Sequence, residues 1–466
     1  MENMLQLTYC FEMEGKMTSS VKKKTIHFLK LLLPILVTQV TLFAMSFFDT
    51  VMSGNYGPKD LAGVAIGVSV WVPISTGLTG ILIAVTTLVA NYNGAQQKEK
   101  IAPLITQGLY LALTVGVAII IIGSFLINPV LDHMNLEKHV RTVAYHFLRA
   151  LSFGIIPLFL YSVLRYFIDG IGRTRTTMII TVLSVPINVV LNYFLVFGNA
   201  GFPRLGGVGA GVASAITYWI ILGLAIYIIL TKEPFKSYRV LRTFSKVSFS
   251  AWKTILKIGL PIGLSIFFEV SIFAVVTLLL SEFDTITIAA HTIAMNFASM
   301  LYMVPLSISM ALTIVVGFEV GAKNFHSAKQ YSIIGILMAL LFASIFGLII
   351  YLFRYDVAGI YTKDHTVQMM AGGFLIFAIF FQLFDAIAAP IQGALRGYKD
   401  VNITLLMMIL AYWVVALPIG YFLAKTDLGA KGYWIGLISG LCFSAITLFI
   451  RLNLVQKKKE MDLAKS

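Results

Sequence analysis

Long apolar runs alternate with short polar breaks along almost the whole chain. Each run is about 20 residues or longer, the length that an α-helix needs to cross a bilayer. The pattern predicts an all-α polytopic membrane protein with twelve transmembrane helices. The predicted spans are residues 28–53, 62–90, 102–128, 143–168, 175–198, 207–231, 255–281, 287–317, 328–355, 370–395, 401–424 and 430–454.

The longest polar break, residues 232–254, divides the predicted spans into two groups of six. We therefore expect a first six-helix lobe at residues 28–231 and a second at residues 255–455. The tails are residues 1–27 and 456–466. Because the break is basic and partly amphipathic, we expect it to lie along the membrane surface as a cytoplasmic linker.

The two halves align without a gap when one is shifted by 227 residues. Leu-Pro-Ile at 33–35 then falls on the same sequence at 260–262, and Gly-Ala at 94–95 falls on 321–322. Each half has an even number of spans, so both halves enter the membrane from the same side. This indicates a parallel internal repeat about an axis along the membrane normal, a design that places a cavity between two lobes.

Composition excludes a soluble protein, because 58% of the residues are hydrophobic and 12% are charged, against about 25% charged in soluble domains. The net charge of +14 would suggest nucleic acid in a soluble protein, but here the basic residues lie in loops and tails. Most of them lie in alternate connections, on the side of both termini. We therefore expect a multi-pass protein of the cell membrane with both termini in the cytoplasm, and no nucleic-acid partner.

Three acidic residues lie well inside predicted spans: Asp49, Glu269 and Asp385. An Asp at the centre of a membrane helix costs about 2.5–3.5 kcal/mol, so an acid in this place is by default a functional hypothesis. The alternative is that Asp49 and Asp385 lie near a membrane interface, where the cost falls. We also expect Glu319 to be solvated, at the cytoplasmic end of the eighth span.

Each acid has a polar residue one turn before it, on the same helical face: Ser46, Ser265 and Gln382, respectively. Asn188 and Asn192 lie one turn apart in the fifth span. These faces are expected to point into protein or a water-filled cavity. For the asparagine pair, a structural tie between two helices is an equally good interpretation.

A membrane carboxylate without a permanent basic partner can bind a proton or a cation such as Na⁺. Either event links ion movement to conformation, and one charge that crosses 100 mV is worth about 2.3 kcal/mol. We therefore expect the three acids to be ion- or proton-coupling residues. A carboxylate in a cavity also attracts organic cations, which aromatic rings stabilise further.

Several motifs together resemble the multidrug and toxic-compound extrusion (MATE) family, in its NorM-like branch. They are "LPILVTQ", "FFDTVMSG", "DLAGVAIG", "PINVVLNYFLVFG" and "FDAIAAPIQGALRGYKD", and the resemblance covers about residues 25–455. It implies two six-helix lobes. It also implies efflux of cationic, amphipathic drugs in exchange for Na⁺ or H⁺, with no cofactor besides the coupling ion.

The resemblance also implies roles for individual residues. Asp49 matches the first-lobe acid of the family, and Asn188 and Asn192 match the pair that hydrogen-bonds near it. Glu269 and Asp385 match the second-lobe acids that bind a cation in the NorM-like branch, which makes them a candidate Na⁺ site.

Two positions depart from the family pattern. Thr292 and Phe381 stand where some members have Gln and Tyr, so each removes a polar group from the second lobe.

The alternative function within the same superfamily is a lipid-linked precursor flippase or polysaccharide exporter. Such a protein is expected to have a basic cavity, whereas the acids named above make this one acidic. The chain has no HExxH and no GxxxxGK[ST] motif, so we expect no enzyme activity. The expected partners are cationic drugs, the coupling ion and the lipid bilayer, and we expect a monomer.

Overall fold

The computed structural model describes residues 21–134, 136–242, 245–280 and 282–465. Twelve helices within these residues are long and apolar enough to cross a membrane, as predicted, and the described residues contain no β-strand. They are α1 (Val21–Tyr56), α2 (Pro58–Gly94), α3 (Ile101–His133), α4 (Lys138–Gly170), α5 (Thr174–Phe197), α6 (Gly207–Thr231), α7 (Phe249–Leu280), α8 (Thr285–Gly321), α9 (Phe325–Tyr361), α10 (His365–Gly397), α11 (Asn402–Ala424) and α12 (Lys431–Lys465).

Most helices extend beyond the predicted spans. The ninth span was predicted at residues 328–355, whereas α9 has 37 residues. A hydrocarbon core of about 30 Å needs only about 20 helical residues, so the helix ends continue into the headgroup region. The basic segment after α6 contains a 3₁₀ turn, Phe235–Tyr238. Parts of the predicted segments lie outside the described residues: 1–20 of the N-terminal tail, 243–244 of the linker, 281 of the seventh span and 466 of the C-terminal tail.

Three helices depart from regular α geometry. α9 is kinked at Phe353, whose φ of −110° and ψ of 17° are not helical. α2 consists of Pro58–Leu82 and Ala84–Gly94, joined at Ile83. α11 contains a π-helical segment, Leu410–Ala416, between two α-helical pieces. Such segments are rare and often occur at functional sites, because they rotate side chains out of the α-helical register.

Each lobe packs around its own apolar core, and the first helix of each lobe also reaches into the other core. Phe28 and Leu32, at the start of α1, are buried among second-lobe residues. Ile255 and Ile262, at the start of α7, are buried among first-lobe residues. α1 and α7 are equivalent in the internal repeat, so the exchange is reciprocal.

The contact between α2 and α8 shows the repeat symmetry at atomic level. A Cβ at Gly94 would collide with the Phe318 carbonyl group, and a Cβ at Gly321 would collide with that of Asn91. Gly94 and Gly321 are 227 residues apart in sequence, as are Asn91 and Phe318. The two lobes therefore meet along backbones related by a pseudo-twofold axis, which confirms the predicted parallel repeat.

The prediction that Glu319 is solvated is wrong. Its side chain is buried, and neither carboxylate oxygen has a hydrogen-bond partner. Lys24 of α1 lies nearby, within electrostatic range, and donates from Nζ to Ser327 Oγ at 2.7 Å and to Gln330 Oε1 at 2.5 Å. The reason is that α1 begins at Val21, before the predicted start at residue 28, and covers this end of α8 and α9.

Candidate functional site

Both oxygens of the first-lobe acid accept hydrogen bonds, although the buried Asn192 Oδ1 beside it has no partner. Asp49 Oδ1 accepts from Asn192 Nδ2 at 2.6 Å, and Oδ2 accepts from Ser214 Oγ at 2.8 Å. The same Asn192 amide also donates to Asn188 Oδ1 at 3.0 Å. Both asparagines are fully buried. Their spacing of one helical turn on α5 places both on the face that meets α1.

Ser46 and Ser53 lie one turn before and one turn after Asp49 on α1, but they contribute less than this spacing suggests. Ser46 is exposed. Ser53 is buried, and its Oγ donates to the Asp49 backbone carbonyl at 2.7 Å, not to the carboxylate. The serine that does bond to the carboxylate is Ser214 of α6, which sequence reasoning missed. Its only signal was a hydroxyl within the small-residue run "GAGVASA".

The second-lobe acids form a looser cluster built from four helices. Glu269 of α7 accepts from the Tyr302 hydroxyl of α8 at a long 3.4 Å. Asp385 of α10 is 2% exposed, and its Oδ2 has no hydrogen-bond partner. Tyr412, in the π-helical segment of α11, interacts electrostatically with both carboxylates, and its buried hydroxyl has no hydrogen bond of standard geometry. The structure thus brings Glu269 and Asp385 together among polar groups that are not fully paired.

The predicted supporting residues of the second lobe lie close to this cluster but bond elsewhere. Ser265 Oγ donates to the Pro261 carbonyl of its own helix at 2.7 Å. Gln382 Nε2 donates to the Ala298 carbonyl at 3.4 Å, and its buried Oε1 has no partner.

The two departures from the family pattern have separate places. Phe381 is buried against Phe273, with ring centroids 5.7 Å apart. Thr292 is exposed, and its hydroxyl bonds to Ile288 of its own helix.

A buried arginine accompanies the acids of the second lobe. Arg396 lies in the last turn of α10, is 5% exposed, and interacts electrostatically with Glu269 and with Tyr166 of the first lobe. Its hydrogen bond to a described residue is a long one, from Nη2 to Gln392 Oε1 at 3.4 Å. The predicted tenth span ended at residue 395, which left Arg396 in the connection that follows it. Arg396 therefore contributes one positive charge within electrostatic range of Glu269.

The described residues contain no group of three or more His, Cys, Asp and Glu side chains arranged to hold a metal ion. A monovalent cation here would need neutral oxygens in addition to the two carboxylates. The Tyr302 hydroxyl and the unpaired Gln382 Oε1 have suitable chemistry.

The chain matches the family described as MatE twice, at residues 34–194 and 261–422. The starts of the two matches are 227 residues apart, the offset of the internal repeat.

Proteins named "Probable multidrug resistance protein NorM" are similar along almost their whole length. The one from Bacillus anthracis is 59% identical over 95% of this chain and 98% of its own, and the one from Bacillus subtilis (strain 168) is 54% identical over the same shares.

Solved MATE transporters share the fold. The eukaryotic transporter AtDTX14 matches with a TM-score of 0.87 and 21% identity, over 95% of this chain and 98% of that one. An outward-facing transporter of the MATE family matches with a TM-score of 0.85 and 21% identity, over 96% and 100%. The family matches, the twelve helices and the two-lobe architecture together show that the chain belongs to the MatE family and is a NorM-type membrane transporter, not an enzyme.

Proposed function

We propose that this NorM-type multidrug efflux transporter is a secondary active antiporter that exports cationic, amphipathic compounds in exchange for Na⁺ or H⁺. The observation that carries the proposal is the buried Asp385 carboxyl, which has one oxygen unpaired next to Glu269. An unpaired polar group in a dry interior is costly. A bound proton or cation supplies the missing partner, so the cluster has a reason to bind the coupling ion.

Alternating access would proceed by separation of the lobes at one end and closure at the other. In this structure, the contacts of Lys24, Gly94 and Gly321 join the lobes at the end that holds the termini. We call this the closed end. With both termini in the cytoplasm, as the basic loops indicate, the closed end faces the cytoplasm in this proposal.

The charge of the interior favours an organic cation over a phosphate-bearing lipid precursor. Asp49, Glu269 and Asp385 supply three acidic groups at the candidate sites, and Arg396 supplies one basic group. Exposed aromatic rings of α1 and α7, such as Phe47 and Phe267, offer faces for cation–π contact. A flippase for lipid-linked precursors would need more basic than acidic groups in its cavity, to bind the phosphates of its substrate.

The test is transport by the full chain reconstituted in lipid vesicles, with a fluorescent organic cation as the substrate. Na⁺ and H⁺ gradients are imposed separately, and a third sample has neither. We expect one of the two ion gradients to drive the dye against its own concentration gradient. The Asp385→Asn variant is expected to lose this ion-driven transport. Equal dye transport in all three samples would overturn antiport. If the protein instead moves a lipid-linked oligosaccharide across the vesicle membrane in the absence of dye, the flippase is favoured.

Asp49 acts separately in this proposal, as a first-lobe proton or cation carrier. Ser46, Ser265 and Gln382 remain proposed as supporting polar residues, and Glu269 with Asp385 as the Na⁺ site.

A further inference from the structure

A charged residue outside the candidate sites lies at membrane depth without a protein partner. Arg149 of α4 has no ion pair, and its side chain has no hydrogen bond to another described residue. By contrast, Arg141, two turns earlier in α4, pairs with Asp132 at 2.7 Å. Arginines within membrane spans normally pair or reach the interface, because an isolated guanidinium in hydrocarbon is expensive.

The depth of Arg149 follows from the neighbouring α6, which runs in the same direction as α4. The start of α6, at Gly207, packs beside Val143, and Ala215 packs beside Gly154. α6 has 25 residues, so it is about 37 Å long and exceeds the hydrocarbon core by about 7 Å. Arg149 comes six residues after Val143, about 9 Å along the helix. Its backbone therefore lies about 5 Å inside the hydrocarbon region.

Arg149 stands between two apolar grooves. The first lies among α2, α3 and α4, has a volume of about 590 Å³, and is lined by residues that include Trp71, Ile122 and Leu148. The second lies between α4 and α6, has a volume of about 530 Å³, and is lined by Phe153 and Trp219 among others. Arg149 lines both grooves, and Phe153 and Trp219 are more than half exposed.

The polar groups near Arg149 are neutral hydroxyls and an imidazole, not acids. Tyr145, Ser124 and Ser152 line the first groove, and His146 lines the second. The two serine hydroxyls donate to carbonyls of their own helices, and the Tyr145 hydroxyl has no hydrogen bond among the described residues. The site thus offers the positive charge of Arg149 and the free hydroxyl of Tyr145, with an apolar groove on either side.

We propose that Arg149 and the two grooves form a binding site for one anionic phospholipid, with the phosphate on the guanidinium and one acyl chain in each groove. The charge of the lipid complements the unpaired arginine, and the two chains match the two grooves. A long side chain that reaches up from this depth meets the phosphate layer. On the orientation proposed above, the lipid comes from the outer leaflet, and the site does not depend on the coupling mechanism.

The test is native mass spectrometry of the full chain, purified in mild detergent and titrated with phosphatidylglycerol or with phosphatidylcholine. We expect the wild type to retain one phosphatidylglycerol in preference to phosphatidylcholine. Arg149→Gln is expected to weaken that retention about fivefold, since one arginine near an anionic lipid is worth about 1 kcal/mol. Arg141→Gln, on the same helix but already paired with Asp132, is the matched control and is expected to retain the lipid.

A second pair of variants tests the groove without touching the charge. Gly123 lines the first groove, and a Cβ there meets open space, as it does at the exposed Gly223 of α6, which lines neither groove. Gly123→Phe is expected to reduce lipid retention, and Gly223→Phe is expected to leave it unchanged. The proposal is overturned if Arg149→Gln retains phosphatidylglycerol like the wild type, or if Arg141→Gln loses as much. Equal retention of both lipids by the wild type would overturn it as well.

Discussion

Asp49 and Asp385 are both acids inside membrane helices, yet their surroundings differ. Both oxygens of Asp49 accept short hydrogen bonds, from Asn192 and Ser214, at 2.6 and 2.8 Å. Asp385 has one buried oxygen without a partner, and its neighbour Glu269 accepts a bond of 3.4 Å. The carboxylate of Asp49 is fully hydrogen-bonded to helices of the first lobe. The carboxyl groups of the second-lobe pair have an unpaired oxygen that can bind a coupling ion and release it.

The largest expected effect is on transport by the second-lobe acids. Asp385→Asn and Glu269→Gln are expected to lower ion-driven efflux more than tenfold, because each removes a charge that binds the coupling ion. Asp385→Asn is expected to keep or raise thermal stability, since it removes a buried carboxyl that lacks a partner. Vesicle transport and melting in detergent measure the two effects. Full efflux by both variants would contradict the assignment.

Asp49→Asn is expected to lower efflux and also to destabilise the first lobe. An amide in place of the carboxylate still accepts from Asn192, but its NH₂ group meets the Ser214 hydroxyl, which must turn from donor to acceptor. Both hydrogen bonds also lose their charged acceptor, and a bond to a charged group contributes about 1.5–3 kcal/mol against about 0.5–1.5 kcal/mol for a neutral one. The melting temperature should therefore fall for this variant and not for Asp385→Asn. Equal melting temperatures for the two variants would show that the difference in hydrogen bonding has no energetic consequence.

Arg396→Gln tests the charge balance of the second-lobe cluster. The negative charges of Glu269 and Asp385 and the positive charge of Arg396 sum to one negative charge, which a single monovalent ion can neutralise. Without the guanidinium, we expect efflux to fall several-fold and the cluster to bind a second proton or cation. Ion-to-substrate stoichiometry in vesicles is the measurement, with Arg396→Lys as the control that keeps the charge. An unchanged stoichiometry in Arg396→Gln would show that the arginine does not belong to the site.

The smallest effects are expected from removal of single hydroxyl groups. In the first lobe the change should affect mainly stability, and in the second lobe mainly the dependence of efflux on the coupling ion. Ser214→Ala removes a 2.8 Å bond to Asp49 and should cost about 1 kcal/mol of stability. Tyr302→Phe removes a 3.4 Å bond to Glu269 and should change stability less but weaken the dependence of efflux on the coupling-ion concentration. Melting curves and ion titrations of both variants separate the two outcomes. A reversed pattern would mean that the second lobe, not the first, is the structurally fixed one.

The sequence predicted the helices and the acids well because both depend on local pattern. An apolar run of sufficient length has few alternatives to a transmembrane helix, and Asp49, Glu269 and Asp385 are conspicuous within such runs. Asn188 and Asn192 were found for the same reason. The 227-residue offset could be read directly because Pro34 and Pro261 are easily recognised in apolar sequence.

Partners from distant helices were not predictable in this way. Ser214, Tyr302 and Tyr412 reach the acids only through helix packing, and Tyr412 also depends on the π-helical segment of α11. Arg396 was assigned to a loop because hydropathy ended the tenth span at residue 395, two residues before the end of α10. Spacing along one helix identifies neighbours on that helix and says nothing about which other helix lies opposite.

The backbone contact between α2 and α8 has a consequence for how the lobes separate. At Gly94 and Gly321 the lobes touch through peptide groups and not through interlocked side chains. Two surfaces of this kind separate without changing rotamers or leaving large holes behind, so the contacts that must break at this end are the polar ones, from Lys24 to Ser327 and from Asn91 to Gly397. A larger residue at either glycine would wedge the closed end apart. Gly94 and Gly321 therefore allow the two lobes to pack closely at the cytoplasmic end and to separate there without rearrangement of bulky side chains.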